Sequence, residues 1–243
     1  MASGFRAVFP TRVGLLLLLI GLSIPVGVGS AERPFAPSRG QNRVLVLLVN
    51  FSDTTPTYTP AQFADLFFGQ HESTFRDYYW QASYGQLDHV GDVVGWLTAS
   101  NTHDYYANND YGQGGWRSYP TNAHKLVMEA VDLAEAAGVN FRLYDNPLDG
   151  ATDGIVDTLI VVHQGRGGEV INNPKNIWSF VGALSDGGAY ARTYDGVVID
   201  QFIIVPEVSW RNDRIIEVGP PVHEYGHLLG LIDGGRPERL ARD

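Results

Sequence analysis

Three residues near the C-terminal end of the sequence have the types and spacing of a metal-dependent hydrolytic centre. They are His223, Glu224 and His227, in the segment "PPVHEYGHLLGLID" (220–233). On a helix, positions four apart lie on one face with Cβ atoms about 5–6 Å apart, so both imidazoles can hold one ion. Zinc binds imidazole nitrogen at about 2.0–2.1 Å in tetrahedral geometry. The Glu224 carboxylate is predicted to take the proton of a water that the metal activates.

The residues that follow the motif predict a third ligand. Gly230 breaks the helix, and Asp233 follows shortly after it. A helix that ends at a glycine can turn the next residues back toward the metal, so Asp233 is the candidate ligand and the fourth position is left for water. Glu238 is a weaker candidate. The alternative is a surface helix with two exposed histidines, but the apolar residues around the motif favour a helix that is buried on one side.

A second candidate site lies in the acidic segment "YDNPLDGATDGIVD" (144–157). Calcium takes six to eight oxygen ligands from carboxylates and carbonyls on a loop that glycine allows to turn. Asp149, Asp153 and Asp157 are therefore candidate calcium ligands, although the spacing is not that of an EF-hand. The alternative is an Asp/Gly turn that caps a strand, and the sequence does not decide between the two.

The segment "HQGRGGE" (163–169) offers a further pair of polar side chains. His163 could face a cleft, and Glu169 could cap a helix or bind a ligand. We favour the alternative, a Gly-rich turn after a strand with a hydrogen-bonded histidine. The remaining histidines lack partners at ligand spacing and are predicted to be surface or core residues: His71, His89, His103 and His124.

Alternating strands and helices must position these side chains. Apolar runs predict strands at 43–51, 87–97, 155–163 and 198–206, and no strand is predicted in the Gly-rich stretch 164–198. Capping residues predict helices at 59–69, 73–85 and 121–138, with Thr59, Ser73 and Thr121 as N-caps, before the motif helix. This order predicts an α/β (or α+β) domain with a mixed sheet packed against helices.

Composition restricts the class of protein. The 243 residues are 44% hydrophobic, which suits one sizeable domain. The net charge of −10 argues against nucleic acid as a partner, because a polyanion requires a basic surface. The chain has no cysteine. An exported protein without disulfides is typical of bacteria rather than of small eukaryotic secreted domains.

The N-terminal segment predicts export. Arg6 and Arg12 precede the apolar run "VGLLLLLIGLSIPVGVG", and "GSA" ends at Ala31. We therefore predict a signal peptide over 1–31. The alternative is a membrane anchor, which the short uninterrupted apolar run disfavours. Cleavage would remove two arginines and change the net charge to −12.

Several stretches together resemble one family. They include "VLVLLVNFSD", "FRDYYWQASYGQLDHVGDVVGWL", "DGATDGIVD", "VVHQGRGGE", "NPKNIWS", "FIIVPE" and "HEYGHLLGL". In these the chain resembles the immune inhibitor A-type secreted zinc metallopeptidases. The resemblance implies a zincin-like catalytic domain over 32–243, extracellular hydrolysis of proteins or peptides, bound zinc, and calcium as a companion ion. It also implies that His223 and His227 are zinc ligands and that Glu224 is the general base, and Asp233 stands at the position of the family's aspartate.

The sequence departs from the family pattern at identifiable positions. Ile232 replaces a proline, Phe180 stands where a histidine is expected, and "GGRPERLARD" replaces the usual continuation. We therefore expect a catalytic domain that is incomplete at its C-terminus. The alternative function is a catalytically inactive exported fragment of such a peptidase. No stable membrane anchor is expected after signal cleavage, and no oligomeric state is predicted.

Overall fold

A five-stranded mixed sheet organises the protein. The computed structural model describes residues 36–147, 151–170, 172–211 and 214–233. The strands in these ranges are β1 (Gly40–Asn50), β2 (Leu87–Thr98), β3 (Leu159–His163), β4 (Phe180–Ala183), β5 (Arg192–Tyr194), β6 (Val197–Ile199) and β7 (Gln201–Pro206). The α-helices are α1 (Pro60–Phe68), α2 (Phe75–Ala82), α3 (His103–Ala107), α4 (Ala123–Ala136) and α5 (Gly219–Leu228). Short 3-10 helices lie at Gly115–Arg117, Phe141–Tyr144 and Gly168–Val170.

The strand order of the main sheet is β2-β1-β3-β7-β4. The first four strands run parallel, and β4 runs antiparallel to β7 at one edge. Strands β5 and β6 form a separate antiparallel pair. Parallel strands that are covered on both faces read as continuous apolar runs, which is why β1, β3 and β7 were predictable. The prediction of an α/β domain with a mixed sheet is confirmed.

The two faces of the sheet carry different helices. Successive side chains of a strand point to opposite faces, so neighbouring residues of β1 enter different cores. Leu45 and Leu47 pack in a core with α4, whereas Val46 and Leu48 pack in a core with α1, α2 and α5. The helix with the H-E-x-x-H motif therefore shares its face of the sheet with the two helices that follow β1.

Helix α1 begins as predicted, but α2 begins one residue later. Thr59 and Gln62 form a capping box at the start of α1. The N-cap of α2 is Thr74 and not Ser73, which was wrong. The Thr74 hydroxyl accepts the Asp77 N–H at 3.0 Å and donates to the carbonyl oxygen of Gly69 at 3.0 Å. This buried hydroxyl joins the two helices because one oxygen both accepts and donates.

The N-cap of α4 is also one residue later than predicted, at Asn122 instead of Thr121. The Asn122 carbonyl oxygen accepts the Lys125 N–H at 3.0 Å. Its amide nitrogen donates to the main-chain oxygens of Gly115 and Gly187, both at 2.9 Å. Only an amide side chain can cap the helix and donate to two loops at once, so tertiary contacts determine where the helix starts.

The predicted Gly-rich stretch contains two strands that sequence analysis missed, namely β4 and β5. The strand predicted at 198–206 is divided, because β6 ends at Ile199 and β7 begins at Gln201. None of the helices in the described part of the chain has the length and apolar character needed to cross a membrane. The predicted signal segment and Asp149 lie outside the described residues, as does Glu238.

Candidate metal centre

An aromatic cluster packs against the buried side of helix α5. Pro220 and Pro221 lie in its first turn, where a missing N–H removes no intrahelical bond. Tyr225 is fully buried, and its ring centroid lies 4.8 Å from that of Tyr79 on α2. The Tyr79 hydroxyl donates to the carbonyl oxygen of Val222 at 2.7 Å. These contacts bury one side of α5, and the histidines of the motif remain accessible on the other.

The C-terminal end of α5 reverses the chain. Gly230 has φ +86°, a conformation that glycine adopts without a Cβ penalty. The Leu231 N–H donates to the carbonyl oxygen of Gly226 and the Gly230 N–H to that of His227, both at 2.9 Å. This pair of bonds is a Schellman motif. The reversal brings Asp233 back beside the helix.

Three side chains converge at this end of the helix. The Nε2 atoms of His223 and His227 are 3.3 Å apart. Asp233 Oδ1 lies 3.2 Å from His223 Nε2 and 3.6 Å from His227 Nε2. Two ligands about 2.0–2.1 Å from a tetrahedral ion are separated by roughly 3.3–3.4 Å. The three atoms therefore fit one face of a zinc coordination tetrahedron.

The hydrogen bond of His227 orients its ring for coordination. Its Nδ1 lies 2.8 Å from the carbonyl oxygen of Leu231, which can only accept a hydrogen bond. Nδ1 therefore carries the proton, and Nε2 presents a lone pair toward His223 and Asp233. The same turn that returns Asp233 to the helix thus also selects the tautomer of His227.

Glu224 lies beside this group in a different environment. Ligand atoms of His223, Glu224 and His227 all lie within 4.8 Å of one another, a grouping of three found nowhere else among the described residues. Glu224 is buried, and this burial raises the pKa of its carboxyl. The charges of Asp233 and Glu169 raise the pKa further, whereas the two histidines lower it. A carboxylate with a raised pKa is suited to accept a proton and then release it.

A cavity of about 420 Å³ adjoins the group. Helix α2 contributes Tyr78 and Ala82 to its wall, and α5 contributes both histidines. Asp233 and the exposed Ile232 lie at its border. The candidate metal ligands therefore face an open space large enough for several side chains.

The acidic segment is organised differently from the predicted calcium site. The Asp145 carboxylate accepts the N–H groups of Asp153 and Gly154, at 3.1 and 3.0 Å. Asp157 is buried, and this burial raises its pKa to about 7. Asp157 also accepts the Asn146 N–H. Asp145 and Asp157 thus brace a turn, and a calcium site on Asp149, Asp153 and Asp157 stays a prediction.

Two of the histidines singled out in the sequence, His163 and His89, lie in the core. His163 is fully buried at the end of β3, with Nδ1 3.0 Å from the carbonyl oxygen of Gln164. It lies at the same register position as Val49, on the α4 side of the sheet and away from α5. His89 is buried among the rings of Phe75 and Tyr225.

Sequence analysis missed one connection around the site. Glu169 Oε1 accepts the Ser179 hydroxyl at 2.6 Å, and Oε2 accepts the Ser179 N–H at 3.4 Å. Ser179 directly precedes β4, which packs against α5. The sequence offered Glu169 as a capping or ligand-binding residue and favoured a Gly-rich turn, and only the fold connects Glu169 to the strand that packs against α5.

A mixed sheet, an H-E-x-x-H helix and a buried glutamate define a zincin-like metallopeptidase domain. The family described as "Immune inhibitor A peptidase M6, catalytic domain" matches residues 33–236. The chain belongs to this family, which confirms the resemblance found in the sequence.

Two relatives show how far the similarity extends. Pre-pro-metalloprotease PrtV of Vibrio cholerae serotype O1 (strain M66-2) is 29% identical over 244 residues, which cover 83% of this chain and 26% of that protein. Immune inhibitor A of Bacillus thuringiensis subsp. alesti is 31% identical over 186 residues, which cover 68% of this chain and 26% of that protein. The matched regions span about a quarter of each of these relatives.

Proposed function

We propose that the chain is the catalytic domain of a secreted, zinc-dependent endopeptidase. One observation carries the proposal: three potential ligand atoms are 3.2–3.6 Å apart, and a buried glutamate lies next to them. The name "metalloprotease" of a relative supports this class of reaction. Proteins or peptides are the proposed substrates.

The residues would divide the work as follows. His223, His227 and Asp233 would hold the zinc ion. Zinc, when bound, lowers the pKa of a water ligand toward about 7 and polarises a carbonyl group. Glu224 would accept the proton of the attacking water and deliver it to the nitrogen of the leaving amine. The burial of Glu224 favours this proton transfer because it raises the pKa of the carboxyl toward neutral pH.

Secretion is part of the proposal. The basic residues, apolar run and small residues of 1–31 support export, and the acidic net charge suits an extracellular enzyme more than a nucleic-acid-binding protein. The matching proteins of Vibrio cholerae and Bacillus thuringiensis support a bacterial origin.

The first experiment measures zinc per chain and proteolysis in the same variants. We expect close to one zinc per chain after dialysis against trace zinc, and its loss in His223→Ala. We expect Glu224→Ala to keep zinc but lose proteolysis by at least about a hundredfold, because general acid–base catalysis contributes roughly 10²–10⁴-fold.

His71→Ala is the matched control, because His71 is an exposed histidine that pairs with Asp65 and not with the motif. It should keep both zinc and activity. Retained proteolysis in Glu224→Ala would remove Glu224 from the mechanism. Zinc binding without proteolysis in the unmodified chain would favour the catalytically inactive alternative.

A further inference from the structure

Glu169 binds the residue that precedes β4, an outer strand of the main sheet. Its carboxylate is held by Ser179, the residue immediately before β4. β4 pairs only with β7 within the described sheet, so its other edge has backbone groups that no neighbouring strand uses. An extended peptide can add to such an edge as a further strand. Such an added strand would start or end near Ser179, the residue that binds Glu169.

The Glu169 carboxylate has spare acceptor capacity. It receives two hydrogen bonds from Ser179, whereas an ionised carboxylate can accept about four. No described lysine, arginine or histidine forms an ion pair with it. The nearby Arg166 donates instead to the carbonyl oxygen of Trp210. Glu169 is partly exposed, so a ligand can reach it.

The strand beside Glu169 packs against the helix of the reacting groups. Ser179, which binds Glu169, directly precedes β4, and β4 packs against α5, the helix that carries Glu224. The negative charge of Glu169 contributes to the raised pKa of Glu224, in agreement with this placement. The carboxylate is not one of the converging metal ligands, which are His223, His227 and Asp233. Glu169 is therefore free to bind another group at the beginning of the strand that packs against the motif helix.

We propose that Glu169 is a specificity-determining residue that binds a lysine or arginine side chain of the substrate beside β4. This inference rests on the proposed peptidase function. A cationic donor would fill the unused acceptor positions of the carboxylate with a charge-assisted hydrogen bond, which is stronger than a hydrogen bond between neutral groups. Ser179 holds the carboxylate in place, so the Glu169 side chain loses little conformational freedom when the substrate binds.

Paired peptides that differ only by lysine or glutamine test this inference. The purified full chain is assayed with zinc on quenched peptides in which each position around the scissile bond carries either residue. We expect the ratio of kcat/KM, lysine over glutamine, to be about tenfold at one position. In Glu169→Gln this ratio should fall to about one, whatever loss is common to both peptides. The lysine-over-glutamine ratio of the wild type should also fall toward one as salt is added, because salt screens the charge interaction.

Glu72→Gln is the matched control. It removes the same charge from an exposed glutamate in the segment between α1 and α2, away from β4. This variant should keep the wild-type ratio at every position. The inference is overturned if the wild-type ratio is near one throughout, or if Glu169→Gln lowers kcat/KM of both peptides equally and leaves the ratio unchanged.

A binding measurement separates this inference from the proposed function. The same peptide pair with an N-methylated, uncleavable bond is titrated by fluorescence anisotropy. Tighter binding of the lysine peptide that disappears in Glu169→Gln would support the inference even if no peptide is cleaved, in which case the proposed function fails alone. Cleavage with no charge preference in either assay would overturn the inference and leave the proposed function standing.

Discussion

His89, in the aromatic cluster that packs against α5, makes the free energy of unfolding depend on pH. Its ring lies among Phe75, Tyr79 and Tyr225, and neither ring nitrogen has a hydrogen-bond partner. Burial lowers the pKa of His89 to about 3, against about 6.5 in an unfolded chain. Between these values only the unfolded chain binds the proton, so the free energy of unfolding rises with pH. The stability that comes from burying the uncharged His89 ring is fully present above about pH 6.5 and is lost as the pH falls toward 3.

We therefore expect His89 to lower the free energy of unfolding by about 1.4 kcal/mol between pH 7.5 and 5.5. His89→Phe keeps an aromatic ring in the cluster and should remove that part of the pH dependence. Urea denaturation at both pH values measures the difference. An unchanged pH dependence in His89→Phe would contradict the assigned pKa.

Individual residues were predictable where the chemistry is local. His223, Glu224 and His227 lie within one helix, so their spacing alone describes their relative position. The approach of Asp233 depends on the left-handed conformation of Gly230, which the sequence indicates only through the glycine itself. The bond between Glu169 and Ser179 joins two parts of a Gly-rich stretch. No periodic pattern reports such a contact, and it was therefore missed.

At the scale of elements, the start of α4 is the most informative correction. Asn122 is fully buried, caps the helix and binds two loops, through the carbonyl oxygens of Gly115 and Gly187. Asn122→Ala should therefore lower the free energy of unfolding by about 2–4 kcal/mol, since it removes a cap and leaves buried acceptors unpaired. Thr121→Ala, at the N-cap predicted from sequence, should cost less than about 1 kcal/mol. Equal losses in denaturant titrations would contradict this assignment.

The predictability of a strand depended on its place in the sheet. β1, β3 and β7 are buried on both faces, and their apolar runs marked them. The short strands β4, β5 and β6 have three or four residues each, and most of their positions are partly buried or exposed. Pairing with β7 or with each other stabilises them, and this tertiary contribution leaves little trace in a local pattern. The missed strand β4 is the edge that borders the candidate site.

At the scale of the whole molecule, metal binding and folding stability are linked. Two of the three proposed ligands belong to α5 and the third to the turn after it, and α5 is buried against the sheet and α2. An unfolded chain does not hold these atoms 3.2–3.6 Å apart, so zinc should bind the folded state preferentially. Ligand binding at a hundred times the dissociation constant adds about 2.7 kcal/mol to the free energy of unfolding.

We therefore expect saturating zinc to raise the melting temperature by roughly 5–10 °C, given the usual dependence of Tm on stability for a domain of this size. Differential scanning calorimetry with zinc and with a chelator measures this shift. His223→Ala should lose most of the shift, because the variant removes one of the proposed zinc ligands. The His223 side chain is 57% exposed, so its removal creates no core cavity. His71→Ala should keep the full shift. A shift of the same size in both variants would mean that zinc stabilises the fold at another site, and the ligand set proposed for α5 would then be wrong.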